Sequence, residues 1–203
     1  MNFFQAIILG IVQALTEYLP VSSSAHIRII GDLMLGADPG AAFTAIIQIG
    51  TELAVILYFR RDIINILSHW FGCLFGKNGP DWRARMGRGD KYATLGWNVI
   101  VGSIPIIILG FTLQNIIETS LRNLWITVTV LFLFGLLLWI VDARSRQIKT
   151  MDDMNYRDAF LFGLGQSMAL IPGVSRSGGT ITVGRALGYT RESAVRLSFL
   201  IDR

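Results

Sequence analysis

Two stretches of this chain, residues 93–117 and 123–141, carry no charged side chain. About 20 apolar residues suffice to cross the ~30 Å hydrocarbon layer of a bilayer as a helix. Inside that layer every backbone N–H and C=O must be satisfied by the protein itself, so only helices and closed barrels cross it. The runs are continuous rather than alternating with period two, which selects helices over a barrel. Composition agrees: 52% of the 203 residues are hydrophobic and 16% are charged, against about 25% charged in a soluble domain. The sequence therefore predicts an all-α integral membrane protein, a polytopic helical bundle forming a single membrane domain over residues 1–203.

The remaining punctuation places the other segments. Residues 41–59 read as a further span, ended by Arg60 and Arg61. Residues 62–75 read as an amphipathic interfacial helix, with Ile63, Ile66, Leu67, Trp70 and Leu74 on one face. Pro105 marks a kink in the span 93–117. The apolar start, residues 1–16, lacks a basic leader and a small-residue cleavage site, so it belongs to the mature fold. Cys73 is the sole cysteine, which excludes an internal disulfide and a cysteine metal cluster. The net charge of +4 resides in two loops and is read as membrane orientation, not nucleic-acid binding. Residues 60–91 hold seven Lys/Arg, residues 144–157 hold four, and the turn at 118–122 holds one. The first two loops are expected to be cytoplasmic and the turn outside.

Two segments break the apolar pattern. Residues 3–16 are too short to span alone, then meet Glu17, Pro20, Ser22, Ser23, Ser24 and His26. Such a break is tolerated at membrane depth where it is buried or lines a wet cavity, so residues 3–31 are expected to form a re-entrant helix pair. A second segment repeats the pattern. Gly10, Gln13, Ser22, Ser24 and Gly31 recur as Gly163, Gln166, Ser175, Ser177 and Gly184, each 153 residues on. Pro20 recurs, displaced by one, as Pro172. Three predicted crossings lie between the copies, so the second should be inverted. The expectation is two re-entrant helix pairs related by an inverted-topology repeat: residues 1–142 form the first copy and residues 156–203 begin a second, incomplete one. On that symmetry about a third of the protein lies beyond Arg203.

The broken segments carry the chemistry. Around Arg176, residues Gly173, Ser175, Ser177 and Thr180 offer backbone approach and hydroxyls, and the guanidinium suits phosphate oxygens. A helix starting near Ser177 adds a favourable dipole. In the first copy, His26 is a candidate base and Ser23 a candidate nucleophile, or His26 activates a water. Ser22 and Ser24 add substrate-binding hydroxyls. Glu17, with Gln13 one turn before it, ligates a divalent cation or orients His26. Glu52 lies in a span and either lines the same cavity or pairs with an arginine such as Arg28.

The segments at 13–26 (QALTEYLPVSSSAH) and 172–180 (PGVSRSGGT) resemble the two signature motifs of the bacterial undecaprenyl-diphosphatase, or bacitracin-resistance, family. The resemblance runs along the whole chain. It implies hydrolysis of the terminal phosphate of a polyprenyl diphosphate lipid at the outer face of the bacterial inner membrane. That step recycles the carrier lipid of peptidoglycan synthesis. On the family pattern Gln13 and Glu17 fall on its acidic positions, Ser23 and His26 on its serine and histidine, and Arg176 on its arginine. The resemblance further implies a divalent cation (Mg or Ca), an active site facing the periplasm, and spans beyond Arg203, and it admits a homodimer. The runner-up expectation is a transporter of a polyprenyl phosphate or small anion, because broken-helix inverted repeats also build transporters.

Overall fold

A computed structural model of the chain describes residues 1–119 and 124–201. Helix α1, Phe3–Glu17, opens with a reciprocal cap: Gln5 N–H donates to the Asn2 side chain at 2.9 Å, and Asn2 N–H donates to the Gln5 side chain at 2.8 Å. Helix α2, Ser23–Leu35, ends on Gly36, whose φ of +68° is the left-handed stop that glycine adopts without strain. Helix α3 spans Ala41–Tyr58 and α4 spans Arg60–Leu74. A short α5, Trp82–Arg85, interrupts the basic loop that reads as unstructured in sequence. The long helices follow: α6, Lys91–Thr119, with Pro105 inside it, and α7, Leu124–Arg144. Helices α8, Tyr156–Ser167, α9, Arg176–Ala186, and α10, Arg191–Ile201, complete the order. Among the described residues there is no strand, only an isolated bridge between Lys149 and Tyr189.

The protein is a membrane protein by the apolarity of its helices. Lys91–Leu113 and Trp125–Arg144 are long and apolar enough to cross, with mean hydropathies of 1.8 and 2.3. Their flanks expose large apolar groups such as Phe111, Trp125 and Phe132, as lipid-facing surfaces do. The expected span at 41–59 and the separate amphipathic helix at 62–75 correspond to α3 and α4. Residues Ala42–Tyr58 qualify only together with Arg60–Leu74, and the two are bent by 71° at Phe59. Arg60, Arg61 and Asp62 start the second limb, so α4 departs from the axis of α3 with its charged end at the bend. Residues 120–123, which include Arg122 of the expected outer turn, lie outside the described residues, as do 202 and 203.

Glycine contacts hold the centre. A Cβ on Gly163 of α8 would collide with the backbone of Gly102 in α6 and would stand 3.0 Å from Pro105. Two residues on, toward the other side of α8, a Cβ on Gly165 would stand 2.8 Å from the Gly179 carbonyl of α9. The three helices therefore approach backbone to backbone, the way membrane helices gain dispersion contacts without a hydrophobic drive. Below this layer Phe162, Tyr189, Ala194 and Leu197 form a buried apolar cluster.

Ion pairs close one end of the bundle. Arg185 is fully buried, reaches the Asp142 carboxylate and donates to the Tyr189 carbonyl at 2.7 Å. Arg191 shares Asp142 at 2.7 Å. Lys149 and the Tyr189 hydroxyl both donate to Asp158 at 2.8 Å. Burial first, then the hydrogen bond to Asp158, push the Tyr189 phenol up, so it stays a neutral donor. Arg157 and Asp158, expected in a loop, begin α8 instead, because Asn155 caps the Asp158 N–H at 3.0 Å. His69 of α4 contacts Asp90 at 2.7 Å, and Asp90 accepts from the Ala93 N–H at 3.0 Å at the start of α6. Burial raises the Asp90 carboxyl, but the bonds from His69 and Ala93 outweigh it and the net position is below the usual carboxylate range.

Two outcomes follow from this packing. Gly163→Leu should destabilise the detergent-solubilised protein by about 3 kcal/mol through overpacking, read as a lower Tm. Gly10→Leu should be near neutral, since a Cβ at Gly10 meets nothing within 4 Å. Asp90→Asn should cost about 1 kcal/mol near neutral pH. The depressed Asp90 contributes its stability above the unfolded carboxylate value, near ~3.9, and loses it as pH falls through the lower folded value. The Tm advantage of wild type over Asp90→Asn should therefore shrink below about pH 4.

Candidate active site

The first turn is built by the end of α1. Gln13 and Glu17 are one helical turn apart and both buried, and Gln13 Nε2 donates to Glu17 Oε2 at 2.9 Å. Pro20 cannot extend the helix, and the chain folds back with Val21 N–H donating to the Leu19 carbonyl at 2.8 Å. Ser22 then adopts φ +62°, a left-handed conformation that a side chain rarely takes. Three contacts hold it there. His26 N–H donates to the Ser22 carbonyl at 3.3 Å, His26 Nδ1 lies 2.9 Å from the same oxygen, and Ser22 Oγ lies 3.2 Å from Ser24 Oγ. A carbonyl only accepts, so Nδ1 carries the proton in this contact. The turn delivers Ser23, whose hydroxyl donates to Glu17 Oε2 at 2.5 Å. Glu17 is therefore the acidic partner of Ser23. His26 is turned away to Ser22, and the expected Ser23–His26 pair is not formed.

The second turn is built by the start of α9. Ser175 is its N-cap and accepts from the Gly178 N–H at 3.2 Å. Ser175 Oγ lies 3.1 Å from Ser177 Oγ, a pair closely matching Ser22 with Ser24. Two residues expected to bind substrate stand in structural contacts instead. Gly173, at φ +104°, presses the side where a Cβ would stand against the Thr127 backbone of α7. The Thr180 hydroxyl is fully buried and engages the carbonyls of Arg176 and Ser177 at 3.0 Å and Ser198 Oγ of α10 at 2.7 Å.

The two turns meet. A Cβ on Gly178 would stand 3.5 Å from the Pro20 carbonyl oxygen, so the proline break abuts the first turn of α9. Arg176 stands beside this junction about one-third exposed, with Nη2 3.9 Å from Glu52 of α3. Glu52 thus finds Arg176 and not Arg28. Tyr18 ties the same stretch of α3 to the first turn, donating to the Thr51 carbonyl at 3.1 Å. Glu52 and Gln166 are the polar groups that pattern-reading left out of the site. Gln166 was visible as the repeat partner of Gln13, and both side chains are buried with Oε1 lacking a hydrogen-bond partner. Among the described residues no three His, Cys, Asp or Glu side chains cluster as metal ligands. The donors available to a hard cation are the Glu17 carboxylate and the unpaired Gln13 oxygen, two of the oxygen ligands such an ion needs. A cavity of about 910 Å³ lies alongside, bounded by Tyr18, Phe59 and Phe199, not over the serines.

Comparison with known proteins gives the family. The family model for the bacitracin resistance protein BacA matches residues 6–202. A protein of Bifidobacterium longum subsp. infantis is 89% identical over 201 residues, covering 99% of this chain and 68% of that protein. One from Bifidobacterium adolescentis is 72% identical with the same coverage. One from Paenarthrobacter aurescens is 54% identical over 205 residues, covering 99% of this chain and 70% of that protein. Each is named undecaprenyl-diphosphatase.

Proposed function

Since this chain belongs to the bacitracin resistance protein BacA family, we propose that it is an undecaprenyl-diphosphatase, a membrane hydrolase that converts undecaprenyl diphosphate to the monophosphate and inorganic phosphate. The observation that carries the mechanism is the Ser23–Glu17 hydrogen bond beside the first turn of α9. Arg176 grips the diphosphate through its fork of donors. Ser23 Oγ attacks the terminal phosphorus, and its proton passes to Glu17 as the bond to the bridging oxygen breaks. The departing lipid monophosphate takes that proton from Glu17. Glu17 then deprotonates the water that attacks the phosphoserine, and as the Oγ–P bond breaks it returns that proton to the Ser23 oxygen, releasing phosphate and restoring the Ser23–Glu17 pair. Arg176 faces the charge that develops on the transferring group, where removal of a donor costs about 10²–10³ in rate. His26 supports this chemistry by holding the left-handed Ser22, and through it the position of Ser23.

A divalent cation fits the same end of α1. Glu17 and the unpaired Gln13 oxygen would hold it, with substrate oxygens completing the shell, and it would neutralise phosphate charge. We further propose that residues 1–142 and 156–203 are inverted copies, with α1–α2 and α8–α9 as the re-entrant pairs. The matched Ser–Ser contacts and the matched unpaired glutamines support this reading. With the basic loops inside, the protein is a multi-pass protein of the inner membrane whose site opens to the periplasm. That depth suits a lipid whose headgroup stays at the interface.

Phosphate release from undecaprenyl diphosphate in detergent tests the mechanism. Ser23→Ala and Glu17→Gln should each lower kcat by about 10³-fold or more. His26→Ala, which loosens a turn without removing a reacting group, should lower it by about 10–100-fold. Equal losses for His26→Ala and Ser23→Ala would return the base role to His26.

A further inference from the structure

We propose that Glu52 is the resting counter-ion of Arg176, displaced when a diphosphate arrives, and so sets how tightly the site holds anions. Glu52 is then a positioning residue acting through Arg176. The inference rests on the reading of Arg176 as the diphosphate grip. A cation at membrane depth needs a partner in the absence of substrate. Glu52 is one such partner in this structure, with its carboxylate 3.9 Å from Nη2. The pair differs from the ion pairs that build the fold. Arg185, which joins Asp142, is completely buried, and Arg191 and Arg196 meet their carboxylates at 2.7 Å. Arg176 and Glu52 are 33% and 30% exposed and stand more than an ångström further apart. That geometry suits exchange: both groups are reachable and the contact is long. A diphosphate offers several oxygens to the planar guanidinium at once, which a single carboxylate does not.

The same carboxylate competes for Arg176 with each anion the guanidinium holds. It can re-form its contact with Arg176 when the inorganic phosphate loosens after cleavage, so it favours departure of the product. Tyr18 fixes the height of Glu52, because its bond to the Thr51 carbonyl ties α3 to the turn that follows Glu17. The counter-ion and the Glu17–Ser23 pair are thus held in one frame.

The test is calorimetric titration of the detergent-solubilised chain with inorganic diphosphate. Glu52→Gln removes the charge and keeps the shape. It should tighten binding about tenfold, while Glu52→Asp, which restores the charge, should bind within about twofold of wild type. Glu52→Ala carries the same expectation as Glu52→Gln and replaces it if that variant does not fold. Arg176→Ala should weaken binding, and adding Glu52→Gln to it should yield no gain, because the counter-ion then has nothing to release. Unchanged or weaker binding by Glu52→Gln and Glu52→Ala overturns the proposal. So does an equal gain in the Arg176→Ala background, which would make Glu52 a general repulsive charge. Turnover is read separately. Wild type that binds inorganic diphosphate in this pattern yet releases no phosphate from the lipid leaves the counter-ion standing and removes the phosphatase mechanism. Wild type that turns over without the pattern does the reverse.

Discussion

A polar side chain in a bilayer must find a partner within the protein, and the fold follows from meeting that demand at one place. Glu17 is at the end of a helix too short to span, where Pro20 forces the chain to turn. The turn brings Ser23 onto the carboxylate that α1 already presents to Gln13. The second broken helix lies against the first because Gly178 leaves room for the Pro20 carbonyl. Larger side chains at the glycines of α6, α8 and α9 would push the helices apart and separate the two turns. The apolar spans are thus the easy part of the structure, and the polar junction is what dictates where they stand.

Polar chemistry is divided between two ends, and the division is physical. At one end Asp142, Arg185, Arg191, Asp158 and Lys149 are close-paired around Tyr189. Breaking such a buried pair leaves an uncompensated charge and typically costs about 3–5 kcal/mol, so this end is rigid. At the site end Arg176 is partly exposed and its contact with Glu52 is long. The close-paired end anchors the far ends of α8 and α9, and so helps hold the first turn of α9 in position.

Much of this was legible in the sequence, for identifiable reasons. The uncharged runs gave α6 and α7, because length and apolarity suffice for a crossing. The spacing of Gln13 and Glu17 gave their shared face, because four residues make about one turn. Contacts made across a turn were not legible. Ser23 is nearer His26 in sequence, yet the left-handed Ser22 rotates it toward Glu17, six positions back. A positive φ on serine leaves no compositional mark. Thr180 looked like a ligand hydroxyl because its partner Ser198 lies on another helix. Glu52 had several arginines to choose from, and only the bundle places α3 beside Arg176 instead of Arg28. The break after residue 59 was legible, because Arg60 and Arg61 end the apolar run and residues 62–75 turn amphipathic, whereas the 71° angle between the limbs is set by packing.

The two turns share residues at matched positions and yet differ in backbone, and that difference assigns their roles. Ser175 is extended and caps α9, so its side chain satisfies the Gly178 N–H of the helix start next to Arg176. Ser22 occupies the matching place in the first copy, is left-handed and caps nothing with its side chain. A capped helix start presents an oriented dipole and a fixed arginine, which suits holding an anion. A strained turn beside a carboxylate presents one hydroxyl with an acceptor already in place, which suits attack. On the proposed mechanism, similar sequence in the two turns thus yields a grip on one side and a nucleophile on the other. The first copy carries Glu17 where the second carries Leu170. The same register sets Arg176 against Ser23 and Gly179 against His26, so on the proposed mechanism the second turn lacks the attacking hydroxyl as well as its acceptor.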